Sequence, residues 1–208
     1  NAGYIMDLSD KDYISRVSEG SLSLQKLDDK VYAVPLDQMA NVVFYNKDIF
    51  NDLGLTVPTT YTEFIDTCKA LKDAGYAACA AGYQDQISIG ANFYTMFYGT
   101  PYLSCENYVD ETQNQGKSWG EYPTFAQALT QFREIIGYQN EDCRTITTDR
   151  AEQLFANGES GMIIIGTWGL GAIMNYNPDL NCGGFMYPSE EKAEDNAIPL
   201  NTDDCWMI

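Results

Sequence analysis

The feature that most narrows the folds open to this chain is the unbroken apolar run Met162 to Ile165, set between a helical segment closing on Asn157 and Gly158 and a Gly-Thr-Trp turn at 166 to 168. A strand covered by helices on both faces of its sheet shows continuous hydrophobicity, whereas a half-solvated strand alternates. Similar short runs at Val31 to Val34, Val42 to Tyr45, Tyr76 to Ala81 and Gly184 to Tyr187 also read as strands.

Helical segments separate these runs. Thr60 with Glu63 makes a capping box, Tyr61, Phe64, Ile65, Cys68 and Leu71 follow at helical spacing, and Gly75 ends the run. A second helix is predicted from Thr124, with Gln127 as its box partner, to Gly137. A third runs from Thr148 or Asp149 through Phe155 to Asn157 and Gly158. Shorter ones follow Asn46, ending at Gly54, and Ala91, through Phe97. Alternation of strand and helix implies a layered α/β fold. The polar stretch Ser189 to Asn196 reads as a surface loop.

Charge and composition exclude several functions. With 30 acidic against 12 basic residues the net charge is −18, which opposes binding to nucleic acid or to an anionic membrane. No apolar run approaches the ~20 residues of a membrane-spanning helix. The chain opens at Asn1 without Met or a signal peptide, which reads as a processed or engineered start. Six cysteines without a C-x-x-C, and no histidine, give no zinc-site spacing, so no metal is expected. The cysteine spacing does not choose among the disulfide pairings it allows.

Three phrases carry a resemblance: VYAVPLDQMANVVFYNKDIF from Val31, GLTVPTTYTEFIDTCKALKDAGY after it, and FANGESGMIIIGTW from Phe155. In order and spacing they resemble family 1 of the extracellular solute-binding proteins. The resemblance implies a periplasmic-binding-protein-like fold of type II and a length about twice that seen here. This chain would then be mainly the second lobe plus hinge segments. Residues 1 to 36 would be a first-lobe remnant and hinge strand, 37 to 197 the second α/β lobe, and 198 to 208 a return strand to the hinge.

The resemblance also implies a ligand site. Trp168, after Gly166 and Thr167, matches a tryptophan that stacks on sugar, and an indole face suits the apolar side of a pyranose. By residue type alone it would more often fill a core. Thr167 and the N–H groups of the helix that follows suit a hydroxyl or an anion, or serve an ordinary cap. Asp37, Gln38 and Asn41 fall where the family's chain crosses between lobes, and such side chains engage vicinal hydroxyls; the alternative is a solvated turn. Gln84 and Asp85 match a loop that relatives turn toward ligand, with Tyr83, Gln86 and Asn92 beside them. Tyr94, Tyr98 and Tyr102 could extend an aromatic lining, although helical spacing favours packing. Asp203 and Asp204 are weaker candidates near the return strand.

The function implied is capture of a carbohydrate, an oligosaccharide by preference, for delivery to the permease subunits of an ABC importer. No cofactor is implied. The protein would be a monomer outside the cytoplasm, as a cell-surface lipoprotein or a periplasmic protein. Alternatives are a polyamine or peptide ligand, or a glycoside hydrolase using Asp37 and Asp85 as a carboxylate pair. Catalysis finds little else: histidine is absent and no phosphate-binding glycine loop is present.

Overall fold

The computed structural model describes residues 4–23, 25–99, 108–198, 200–202 and 204–208, and the chain falls into two compact units. Tyr102, Cys105 and Asp203, and the side chain of Tyr98, lie outside the described residues.

The smaller unit joins Asn1–Ala40 to Leu200–Ile208. A 3-10 turn (Asp12–Arg16) and a short helix α1 (Glu19–Ser23) precede a tight hairpin of β1 (Lys26–Leu27) and β2 (Lys30–Val31). Asp28 and Asp29, at φ 50° and 62°, supply its left-handed turn, a conformation that aspartate tolerates better than most side chains. The single strand expected over Val31 to Val34 is instead two. Val31 pairs back with Lys26, while β3 (Val34–Pro35) pairs with β9 (Cys205–Trp206), so the chain changes partner in between. Leu8, Leu22 and Val31 form a small core.

The larger unit, Asn41–Pro199, is built on a mixed sheet. Strand β4 (Met39–Asn46) begins in the first unit, where its start pairs with β8 (Leu200–Asn201), and continues into the second. There it lies between β6 (Ser160–Gly166) and β7 (Cys182–Phe185), antiparallel to both, and β5 (Ala77–Ala80) adds to β6 in parallel. β7 starts two residues before the predicted Gly184 and ends at Phe185, leaving Tyr187 as a fully buried core residue beyond it.

Every residue of β6 is buried, because helices cover both faces. Met162 and Ile164 point into one core, with Phe64, Leu71, Met96 and Ile135, and Ile163 and Ile165 point into the other, with Phe155 and Ile173. The first face is packed by α2 (Lys47–Asp52), α3 (Tyr61–Asp73), α4 (Gln86–Gly99) and α6 (Pro123–Ile136). The second is packed by α7 (Thr148–Ala156) and α8 (Gly169–Tyr176), and a short α5 (Tyr108–Gln113) precedes α6.

The Thr60–Glu63 capping box on α3 is present. The predicted Thr124–Gln127 box is not: Pro123 occupies the first turn, Tyr122 stands at the N-cap without a side-chain bond, and Gln127 donates instead to the Ser189 carbonyl and Glu190. α7 is capped by Thr147, whose hydroxyl accepts from the Arg150 N–H, one residue before the predicted start. α4 starts at Gln86, five residues earlier than predicted. In the loop from Ser189 to Asn196, Ser189 is buried and Asn196 accepts from the Glu190 N–H, so this polar stretch is pinned at both ends. Among the described residues Cys68, Cys79, Cys143, Cys182 and Cys205 are free thiols.

Candidate functional site

One end of the larger unit's sheet gathers most of the predicted site residues. β5 and β6 run in parallel and therefore finish at the same end, and antiparallel β4 enters the larger unit there, with Asn41 directly opposite Gly166. Asn41 where β4 enters the larger unit, Thr167 and Trp168 after β6, and Gln84 and Asp85 after β5 thus share one sheet end. In open α/β sheets ligands bind beyond the carboxyl ends of strands.

Trp168 stands at the N-cap of α8 with 42 % of its surface exposed, so it does not fill the core. Its indole folds back over Gly166: a β-carbon on that glycine would lie 2.1 Å from Nε1. Only glycine leaves room for the ring there. Trp168 gives α8 no side-chain cap, whereas Thr147 caps α7. The Leu170 N–H turns back to the Thr167 carbonyl at 3.3 Å.

Asn41 is half-buried and Gln84 exposed, and among the described residues neither side chain makes a hydrogen bond. The Gln84 backbone is held by its N–H to the Ile146 carbonyl at 3.0 Å. Asp85 is occupied by its own chain. Its carboxylate accepts from the Thr148 N–H at 2.8 Å, from Thr148 Oγ1 at 2.5 Å and from the Ile87 N–H at 3.1 Å. Burial pushes the Asp85 carboxyl upward, but these bonds outweigh it and hold the group below the usual aspartate range. Gly82 makes the tie possible, since a β-carbon there would meet the Thr147 carbonyl oxygen at 2.0 Å.

Asn92 is fully buried and spans the Ser88 and Ile164 carbonyls, and the half-buried Tyr83 accepts from Gln139 and packs on Phe132, so both hold the fold. Gln86 opens α4 and is exposed, and Tyr94 is 49 % exposed farther along that helix. Asp37 and Gln38 belong to the smaller unit. There Asp37 accepts from the Asp204 N–H at 3.2 Å and Gln38 donates to Ser21 at 2.8 Å.

Sequence reasoning missed Glu152. This α7 glutamate is only 4 % exposed, and its Oε1 lies 3.3 Å from where a β-carbon on Gly169 would stand, against the first turn of α8. Burial first, then the charges of Asp149 and Asp85, raise its carboxyl to about 7. A surface hollow of about 500 Å³ on α6 is lined by Leu129, Thr130, Arg133 and Glu134, and none of the site residues borders it. No group of acidic and cysteine side chains suited to a metal ion occurs among the described residues.

The fold of the larger unit, with these residues at its sheet end, is that of a periplasmic binding protein of type II, and the whole chain, residues 1–208, matches the bacterial extracellular solute-binding protein family, to which it belongs. The multiple sugar-binding protein of Streptococcus mutans is 27 % identical over 208 residues, 98 % of this chain and 49 % of the relative. A sn-glycerol-3-phosphate-binding periplasmic protein, UgpB of Agrobacterium fabrum, is 27 % identical over 179 residues, 84 % of this chain and 40 % of the relative. Among solved structures, RafE from Streptococcus pneumoniae superposes with a TM-score of 0.80 at 26 % identity, covering 100 % of this chain and 54 % of RafE, and RafE has also been solved with raffinose. The chain spans about half the length of the relatives it matches.

Proposed function

We propose that this chain is the ligand-capturing part of the substrate-binding component of an ABC importer, and that its ligand is a carbohydrate, an oligosaccharide by preference. The observation that carries the reading is the half-exposed Trp168 at the uncapped N-terminus of α8, with Asn41 one strand away and Gln84 beyond the other neighbouring strand. A ring face for the C–H side of a sugar, with amides and N–H groups for its hydroxyls, is the chemistry of carbohydrate capture. Relatives named for sugar binding, and the raffinose complex of RafE, support the same class. The component would act as a monomer outside the cytoplasm, lipid-anchored at the cell surface or periplasmic, and would hand its ligand to permease subunits.

Binding without turnover fits the side chains. A glycosidase acid must be protonated when it meets substrate, and Asp85 is held ionised by the hydrogen bonds it accepts. One second reading has an observation behind it: the uncapped start of α8 also suits a phosphate, and relatives include sn-glycerol-3-phosphate binders.

A thermal-shift screen separates these, because a ligand that binds only the native state raises the melting temperature. The chain, alone and within a protein of its relatives' full length, would be heated with mono- and oligosaccharides, sn-glycerol 3-phosphate, a polyamine and a short peptide. A shift confined to sugars is expected. A shift with one of the other compounds, and none with any sugar, would overturn the carbohydrate assignment.

A further inference from the structure

Glu152 has no role in the proposed capture, yet its placement is unusual. It is a carboxyl 4 % exposed, and no hydrogen bond to it occurs among the described residues. The ionisable groups acting on it are acids and a phenol: Asp149 one turn earlier on α7, Asp85 in the loop after β5, and Tyr176 on α8, whose hydroxyl donates to Asp149. β6 offers it no ionisable side chain, and the one on β5, Cys79, lies in the core on the opposite face of the sheet. Among the described residues no cation answers it. What it does touch is the start of α8, where Gly169, the residue after Trp168, leaves room for its Oε1.

Resting on the carbohydrate reading above, we propose that Glu152 is a positioning residue for ligand capture: its carboxyl, buried against the first turn of α8, sets how the Thr167–Trp168 turn is held, so that binding there is linked to a proton. A neutral carboxyl has no need of an α8 N–H donor, and none is donated to Glu152 among the described residues. An ionised carboxylate in the same place draws the N–H groups of the first turn toward itself, because a helix N-terminus attracts negative charge. That movement pulls Gly169, and Trp168 with it, away from the position over Gly166, and it takes up donors that a ligand hydroxyl would use. Protonated Glu152 favours capture and ionised Glu152 opposes it. The raised ionisation range of this group places the change near neutral pH, where both forms are populated.

The test has two arms. In the free protein, the indole N–H signal of Trp168, assigned by its loss in Trp168→Phe, is followed by NMR from pH 5 to pH 9. A titration with its midpoint near neutrality that disappears in Glu152→Gln is expected. A signal that does not titrate, or that titrates alike in Glu152→Gln but not in Asp85→Asn, overturns the assignment. In the second arm raffinose affinity is measured over the same range in a protein of the relatives' full length. It should fall by about tenfold from pH 6 to pH 9, the change produced by one unit of displacement between free and bound forms, and Glu152→Gln should bind with little dependence on pH. A pH-dependent affinity that persists in Glu152→Gln also sinks the proposal. Absence of raffinose binding at every pH counts against the carbohydrate reading instead, and the NMR arm then decides Glu152 alone.

Discussion

The indole of Trp168 lies over Gly166, its Nε1 2.1 Å from the point where a β-carbon on that glycine would stand. Because the obstructing group is a half-exposed side chain and not backbone, a methyl at 166 displaces the ring more readily than the strand. Gly166→Ala should therefore weaken sugar binding about tenfold or more while shifting the melting temperature little. Calorimetry with a bound sugar, beside a thermal melt, checks both halves. A large loss of stability with unchanged affinity would show the glycine to serve the strand alone.

Trp168→Ala separates stacking from packing. An exposed indole contributes little to the core, so the melting temperature of the free protein should fall only slightly. Binding should lose about 1 to 3 kcal/mol, the range for a stacking aromatic at a ligand site. Titration of wild type and variant with the same sugar is the measurement.

Asp85 is a different kind of residue from its neighbour in sequence, Gln84. Its carboxylate ties the loop after β5 to the start of α7 through Thr148, and charged hydrogen bonds of this sort contribute about 1.5 to 3 kcal/mol each when buried, less where water reaches them. Asp85→Asn should lower the melting temperature at pH 7 and leave sugar affinity nearly unchanged at pH 5, where Glu152 is protonated with or without the Asp85 charge. The sign with pH follows from a carboxyl held below its unfolded value: the stabilisation is present above pH 4 and is lost as the pH falls through the folded pKa, so the gap between wild type and variant closes in acid. Melts between pH 2 and pH 7 test this.

How far the sequence carried this reading depends on how local each cause is. Thr60 and Glu63 stand three residues apart and cap α3 as expected, and the fully buried β6 follows from its unbroken hydrophobicity. Thr124 misled because Pro123 opens α6 one position earlier, and the Gln127 side chain finds better acceptors near Ser189. A helix after Trp168 was expected, but not what it packs on: Gly169 and Gly171 are poor helix formers, and the absent side chain of Gly169 lets α8 lie close on Ile165 of β6 and on Glu152 of α7. Asp85 was read as facing a ligand on the resemblance alone, and its bond to Thr148, 63 residues away, has no local signal. For Glu152 nothing within its own turn signals that Gly169 will lie against it.

Glu152 has the opposite pH signature from Asp85, and the two together discriminate burial from hydrogen bonding. A glutamate shifted from 4.5 to about 7 binds a proton in the folded protein that it has already released when unfolded, between those two values. Folding is therefore progressively disfavoured as the pH rises from 4.5 to 7, and the cost is constant above. At one pKa unit per 1.36 kcal/mol, and allowing for residual hydration of the carboxyl, the cost at pH 8 is about 2 to 3 kcal/mol. Glu152→Gln removes the charge and keeps the shape, so the variant should match wild type near pH 4.5 and exceed it by that amount at pH 8. Denaturant unfolding at both pH values reads the difference directly. Equal stability of the two proteins at pH 8 would mean that the carboxyl is solvated there and that its burial against α8 exerts no electrostatic strain.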